Sequence, residues 1–188
     1  MTATSDHADT DGSGYLLYHS IGQYPGKAKD MAKALTAFAD CWGASNDEQW
    51  GYALGQRQRF IELWSQLLKA PSASLTTTEN VTSALAAMIM ALPSDELEGR
   101  VVPVAGDVIS AWGPEVGLAL LTWVSSTSSH RCDLASLMAH GRQQGSVIGV
   151  DITQAAGLID YDCLAVGADF AVSTSLKWMC GSPGGGIL

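Results

Sequence analysis

Residues 146–188 read SVIGVDITQAAGLIDYDCLAVGADFAVSTSLKWMCGSPGGGIL, and the fold turns on this stretch. An apolar run, SVIGV, stops at Asp151, and a second, GADFAVST, stops just short of Lys177. Runs that are apolar at successive positions, not at every second one, belong to strands buried on both faces. The residues between them are long enough for a crossover, so the two strands read as a parallel pair inside a helix-covered sheet. The closing GGGIL reads as one more strand at its start.

The same texture continues upstream. VGLALLTWV (116–124) is a third continuous apolar strand, and CDLASLMAHGRQQG (132–145) a helix between it and the next. ASLTTT (73–78) reads as a short strand, and NVTSALAAMIMAL (80–92) as a helix ended by Pro93. RVVPV (100–104) is a further strand candidate, although Pro103 argues against a central place. Nearer the N-terminus the period changes to 3.6. KAKDMAKALTAFADCW (27–42) puts Ala28, Met31, Ala32, Leu35, Phe38, Ala39 and Trp42 on one helix face. QRQRFIELWSQLLKA (56–70) turns Phe60, Leu63, Trp64, Leu67 and Leu68 inward and stops at Pro71.

These elements predict an α/β fold of three layers, α/β/α, with a mostly parallel sheet. The expected organisation is a disordered polar tail over residues 1–14, a helical segment over 15–70 and a core over 71–188. Only twelve residues separate Val104 from Gly117, the minimum for a parallel crossover, and the chain stops inside a strand. Both joints point to missing segments.

The chain carries a net charge of −9, which excludes a general nucleic-acid binder, since phosphate backbones need a basic face. No apolar run is long enough to span a membrane, and the acidic start is no targeting peptide. Cys41, Cys132, Cys163 and Cys180 lack paired spacing, so no metal site is expected, and scattered thiols suit the reducing cytoplasm. Apolar residues make up 47% and charged residues only 15%, against the usual 25% or so. That surplus of apolar surface calls for an interface with a second subunit or a further segment.

Ligands of open α/β sheets sit beyond the carboxyl ends of the strands. At those ends stand Asp151 with Gln154, the Glu79-Asn80-Val81-Thr82 helix start, the polar SSTSSHR run, and Lys177. Each alone has an ordinary reading. Asp151 suits a turn cap, Asn80 and Thr82 suit helix caps, Ser125–Ser129 a polar loop, and Lys177 an amine snorkelling to solvent. Together they match the needs of pyridoxal 5'-phosphate (PLP). A lysine in apolar surroundings forms a Schiff base with its aldehyde. A carboxylate holds the proton on its ring nitrogen, and at about 4 Å and moderate dielectric such a pair is worth roughly 4 kcal/mol. Its phosphate takes the amides and hydroxyls of a helix N-terminus. A nucleotide loop in GSPGGG fits less well, because the order is not G-x-G-x-x-G and no helix follows. A Ser175–Lys177 hydrolase lacks an evident oxyanion hole.

The segment from GVDITQ to SPGGGIL resembles the cofactor core of class V aminotransferase-fold enzymes, the group of kynureninases and cysteine desulfurases, in its Asp-x-x-Gln, its lysine 26 positions on and its Gly/Pro turn. YLLYHSIGQYPGKAKDMAKALTAFADCWG, LTTTENVTSAL and KWMCGSPGGG resemble the kynureninase subgroup. The resemblance implies the large domain of a fold type I PLP enzyme with its small C-terminal domain absent, and a homodimer acting on an amino acid. In it Lys177 would carry the cofactor and move protons, and Asp151 would pair with the ring nitrogen. Gln154 would bond the ring hydroxyl. Val81, Thr82 and Thr174 would hold the phosphate, and Ser126 would lie near the ring. The chain departs from the pattern in Gln154, where kynureninases usually carry His, and in Leu176, where they carry Tyr. The arginine that grips the substrate carboxylate has no counterpart here. A kynureninase-like hydrolase is the first expectation, a desulfurase or aminotransferase the second, and an inactive truncated remnant the third.

Overall fold

The computed structural model describes residues 14–93 and 108–188. Most of the expected tail, and the RVVPV strand candidate, lie outside the described residues. Two long helices come first, α1 (Lys27–Trp42) and α2 (Gln49–Leu68). A single 3-10 turn over Ser72–Ser74 leads to β1 (Thr77–Thr78), then α3 (Val81–Ala91) and a short α4 (Val108–Ala111). There follow β2 (Leu118–Thr122), α5 (Leu134–Gln144), β3 (Val147–Asp151), α6 (Cys163–Val166), β4 (Phe170–Thr174) and β5 (Gly186–Ile187).

The sheet runs β1-β5-β4-β3-β2. Its three apolar strands are parallel, with Leu118 level with Val147 and Gly149 level with Phe170. The terminal β5 pairs antiparallel with both β4 and β1, so the sheet is mixed but mostly parallel. Helices cover both faces, as continuous apolar strands require. On one face Trp64 and Leu68 of α2 and Leu134 and Met138 of α5 pack over Leu121, Ile148, Val150 and Ile187. On the other, Ala84 of α3 packs with Leu118, Phe170 and Val172. Gly149 lies under the Phe170 ring, where a Cβ would collide with it.

Polar groups fix the frame. Asp133 caps α5, its carboxylate accepting the Ser136 amide at 3.2 Å and hydroxyl at 2.7 Å. Those bonds hold its carboxyl below the usual carboxylate range. Gly145, at a left-handed φ of 76°, ends that helix. Asp169 joins the last turn of α5 to the sheet, receiving Arg142 Nη1 at 2.7 Å and the Ile148 amide at 2.7 Å.

Three details differ from the expectation. α2 begins at Gln49, ahead of Gln56, and carries Gly51 and Gly55 within it. Packing of its Trp64 end outweighs the propensity cost of those glycines, about 1 kcal/mol each. Leu63 is 49% exposed, because α2 packs on the sheet core through Trp64 and Leu68, with Phe60 and Leu67 beside them, and Leu63 falls outside that stripe. The apolar face of α1 is also open, with Leu35 65% and Phe38 49% exposed.

Candidate active site at the carboxyl edge of the sheet

Because β2, β3 and β4 are parallel, Thr122, Asp151 and Thr174 end on the same edge. Asp151 is half-buried and in register with Thr122 and Val172. Its Oδ1 accepts the Thr153 amide at 2.9 Å. Among the described residues its other oxygen has no donor. The Thr153 hydroxyl next to it is buried and unpaired.

β1 delivers the start of α3 to this edge. Asn80 is the N-cap, in extended backbone, with its side chain accepting the Ser83 amide at 2.8 Å. The ordinary capping role of Asn80 is therefore real. Val81 and Thr82 are the first two residues of α3, where amides are left without intrahelical acceptors. A cleft of about 530 Å³ opens here, lined by Glu79, Asn80, Thr174, Leu176, Ser182, Pro183 and Gly184. Thr174 and the start of α3 thus share one cavity. Glu79 lines it too and opposes an anion, while the helix dipole favours one.

Lys177 follows β4 in a bend. The residue is half-buried, and its amine forms no ion pair with Asp151 and has no hydrogen-bond partner among the described residues. The backbone around it is held from the N-terminal side of the chain. The Gly22 amide donates to the Leu176 carbonyl at 2.9 Å, and a Cβ on Gly22 would overlap the Lys177 carbonyl. Tyr18 stacks on Trp178, ring centroids 5.6 Å apart and planes 9° from parallel. Gln154 is committed to this strap: its amide donates to the His19 carbonyl at 2.8 Å and its oxygen accepts Trp178 Nε1 at 2.9 Å. The Lys27 ammonium folds back to the Gly22 carbonyl at 2.6 Å and the Gly181 carbonyl at 3.1 Å.

The structure therefore gathers Asp151, Lys177, Thr174, Val81 and Thr82 at one edge. Ser126 lies in an exposed turn beyond β2, at the same edge but in a separate loop. Ser175 donates to the Gly185 carbonyl at 3.0 Å, which ties its hydroxyl to the loop wall. Trp112 is buried at the opposite end, donating from Nε1 to Ser146 at 2.9 Å, and His140 Nε2 meets the Trp112 carbonyl at 2.7 Å. Both are structural. Sequence reasoning passed over Tyr18, Gly22, Lys27, Trp178 and Ser182. Gly22, the first glycine in YHSIGQYPG, is the one signal there, because a glycine outside a turn can mark a close backbone approach.

Residues 67–188 match the sequence pattern of the family described as Aminotransferase class-V. Kynureninase from Xanthomonas oryzae pv. oryzae (strain PXO99A) is 30% identical over 97 residues, covering 51% of this chain and 23% of that protein. Kynureninase from Deinococcus radiodurans is 30% identical over 89 residues, covering 47% and 22%. The matched stretch therefore spans less than a quarter of the length of these curated relatives. Among solved structures, a C-DES variant with glycine covalently linked to its PLP cofactor superposes with a TM-score of 0.68 at 17% identity, over 90% of this chain and 55% of that one. The apo structure of cysteine desulfurase from Thermococcus onnurineus NA1 gives 0.67 at 13% identity, over 90% and 51%. At such identities the likeness establishes a common fold with PLP enzymes, and the sequence pattern adds descent: this chain belongs to the aminotransferase class-V family.

Proposed function

We propose that this chain is the cofactor-binding core of a PLP-dependent enzyme that acts on an amino acid. The observation that carries the reading is the placement of Asp151, Lys177, Thr174 and the α3 N-terminus along the carboxyl edge of the parallel strands. These residues fit the group. The unpaired Lys177 amine suits an aldehyde, and the acceptor-only Asp151 carboxylate, with one oxygen free of donors among the described residues, suits a protonated pyridine nitrogen. The α3 amides with the Thr174 hydroxyl suit a phosphate. When bound, the cofactor would supply an electron sink for cleavage of a bond at the amino-acid carbon. The chain's own part is to hold the ring by its two ends, keep the ring nitrogen protonated through Asp151, and move protons at Lys177 Nζ.

A kynureninase-like hydrolase is the reaction favoured by the relatives at 30% identity. The desulfurase structures favour a second reading, a desulfurase or aminotransferase. Gln154 spends both amide atoms on His19 and Trp178, so its bond to the ring hydroxyl would need the strap to shift; that role stays part of the proposal. So does the role of Ser126. We further propose a homodimer, to cover the apolar α1 face, and a cytoplasmic home, consistent with four free thiols. No described helix is long and apolar enough to cross a membrane.

The test is to add pyridoxal phosphate to the purified chain, record the visible band, reduce with borohydride and map the label. Label on Lys177, lost in Lys177→Ala, is the expected result. A folded chain that takes no label supports an inactive remnant.

A further inference from the structure

We propose that Lys27 is a positioning residue for Lys177, acting through the loop that follows it. This rests on the reading of Lys177 as the residue that takes the cofactor.

Lys27 opens α1 and is only 9% exposed. An ammonium there is doubly misplaced. It is buried, and it sits at the positive end of a helix dipole. It belongs to none of the ion pairs among the described residues, so no carboxylate offsets its charge there. Its described partners are two carbonyl oxygens from segments far apart in sequence, Gly22 at 2.6 Å and Gly181 at 3.1 Å. Gly22 is the residue pressed against the Lys177 carbonyl and bonded to Leu176. Gly181 is bonded through its amide to the Ser175 carbonyl, and the Cys180 amide donates to the Lys177 carbonyl at 2.9 Å. The Lys27 head thus joins the strap to the loop on both sides of Lys177. The stem of Lys27 also lines a groove of about 270 Å³ together with Leu176, Gly181, Ser182 and Pro183. Leu176, Ser182 and Pro183 form a wall of the Thr174 cleft as well. One side chain therefore sets the loop that carries the amine and borders the phosphate cleft. A helix-stabilising role would not call for a cation at this helix start.

The test compares the full chain with Lys27→Met, which keeps the stem and removes the donors, and Lys27→Arg, which keeps charge and donors. Two readouts are taken. Without cofactor, amide hydrogen exchange is followed at Gly22, Cys180 and Gly181, with Ile148 as the reference in the sheet. With pyridoxal phosphate, the position of the visible band and the rate of borohydride-fixable labelling at Lys177 are followed. The expected result for Lys27→Met is exchange raised about tenfold at the three loop and strap amides and unchanged at Ile148. Labelling slows by roughly tenfold with a displaced band, a modest effect for a misplaced reacting group. Lys27→Arg recovers both. Unchanged exchange and labelling in Lys27→Met overturn the assignment, and so does exchange raised equally at Ile148, which marks a general core role. If the wild-type chain takes no label, the cofactor reading fails and the exchange comparison alone decides the role of Lys27. If Lys27→Met does not fold, Lys27→Gln, which keeps a neutral donor on a shorter arm, is judged by the same criteria.

Discussion

Under the proposed function, single side chains at the edge of the sheet carry the chemistry, and they differ in how far the sequence reveals them. Asp151, Thr174 and Lys177 were legible because each terminates or follows an apolar run, and a strand end faces the ligand side by construction. Gln154 was legible at the same strand end, but its tie to the strap was not, because its partner there is the backbone carbonyl of His19, 135 positions away, and no letter marks a carbonyl. Lys27 was hidden for the same reason. If Asp151 serves the ring nitrogen, Asp151→Asn still takes borohydride-fixed label at Lys177. It should slow solvent exchange of an amino acid's α-hydrogen by about 10³-fold, as a pair worth roughly 4 kcal/mol requires; deuterium uptake followed by NMR measures this. Away from the edge, Tyr161 is 2% exposed and its hydroxyl is unpaired. Burial raises its phenol above the ordinary range, and burial likewise raises the Cys132 and Cys163 thiols. A raised acid stays neutral in the fold while the unfolded chain ionises. Stability is therefore full at neutral pH and falls as pH climbs past the ordinary values, about 8.5 for the thiols and about 10 for the phenol. Tyr161→Phe should leave stability at pH 7 unchanged or slightly higher, since no bond is lost, and should flatten the decline above about pH 10. Denaturant titrations at the two pH values check it.

At the scale of elements, α3 and β5 do the positioning. The fold needs α3 to begin at the carboxyl edge, and Asn80 makes that beginning sharp. Asn80→Ala should cost about 1 kcal/mol of stability by loss of the cap. Since the cap also orients the first turn, affinity for pyridoxal phosphate should fall with it; melting curves with and without cofactor separate the two effects. Gly149→Val should cost as much or more, about 1–3 kcal/mol, because its side chain would overlap the Phe170 ring. The parallel strands were legible from their unbroken apolar runs. The antiparallel direction of β5 was not, since two residues hold no directional signal and the pairing is set by the turn through Pro183 and Gly184. The early start of α2 escaped notice because Gly51 and Gly55 read as breakers until the far end of the helix is seen anchored by Trp64 and Leu68.

For the whole molecule, the apolar surplus in the composition reappears as geometry. Phe38, Trp42 and Trp50 form an open aromatic row, Phe38 and Trp42 stacked at 5.6 Å and Trp42 edge-on to Trp50 at 5.7 Å. If this row covers a second copy, Leu35→Lys with Phe38→Ser should shift the sedimentation profile from dimer to monomer and leave the circular dichroism unchanged. The packing of residues 18–27 onto Lys177 has a temporal consequence as well. Gly22 leaves the ribosome 159 residues before Gly181, a wait on the order of 10–30 s at common elongation rates. Throughout that interval the nascent strap lacks the loop it docks on, so the pocket matures only once Gly181 has emerged, and chaperones that shield early-emerging apolar helices would govern its yield.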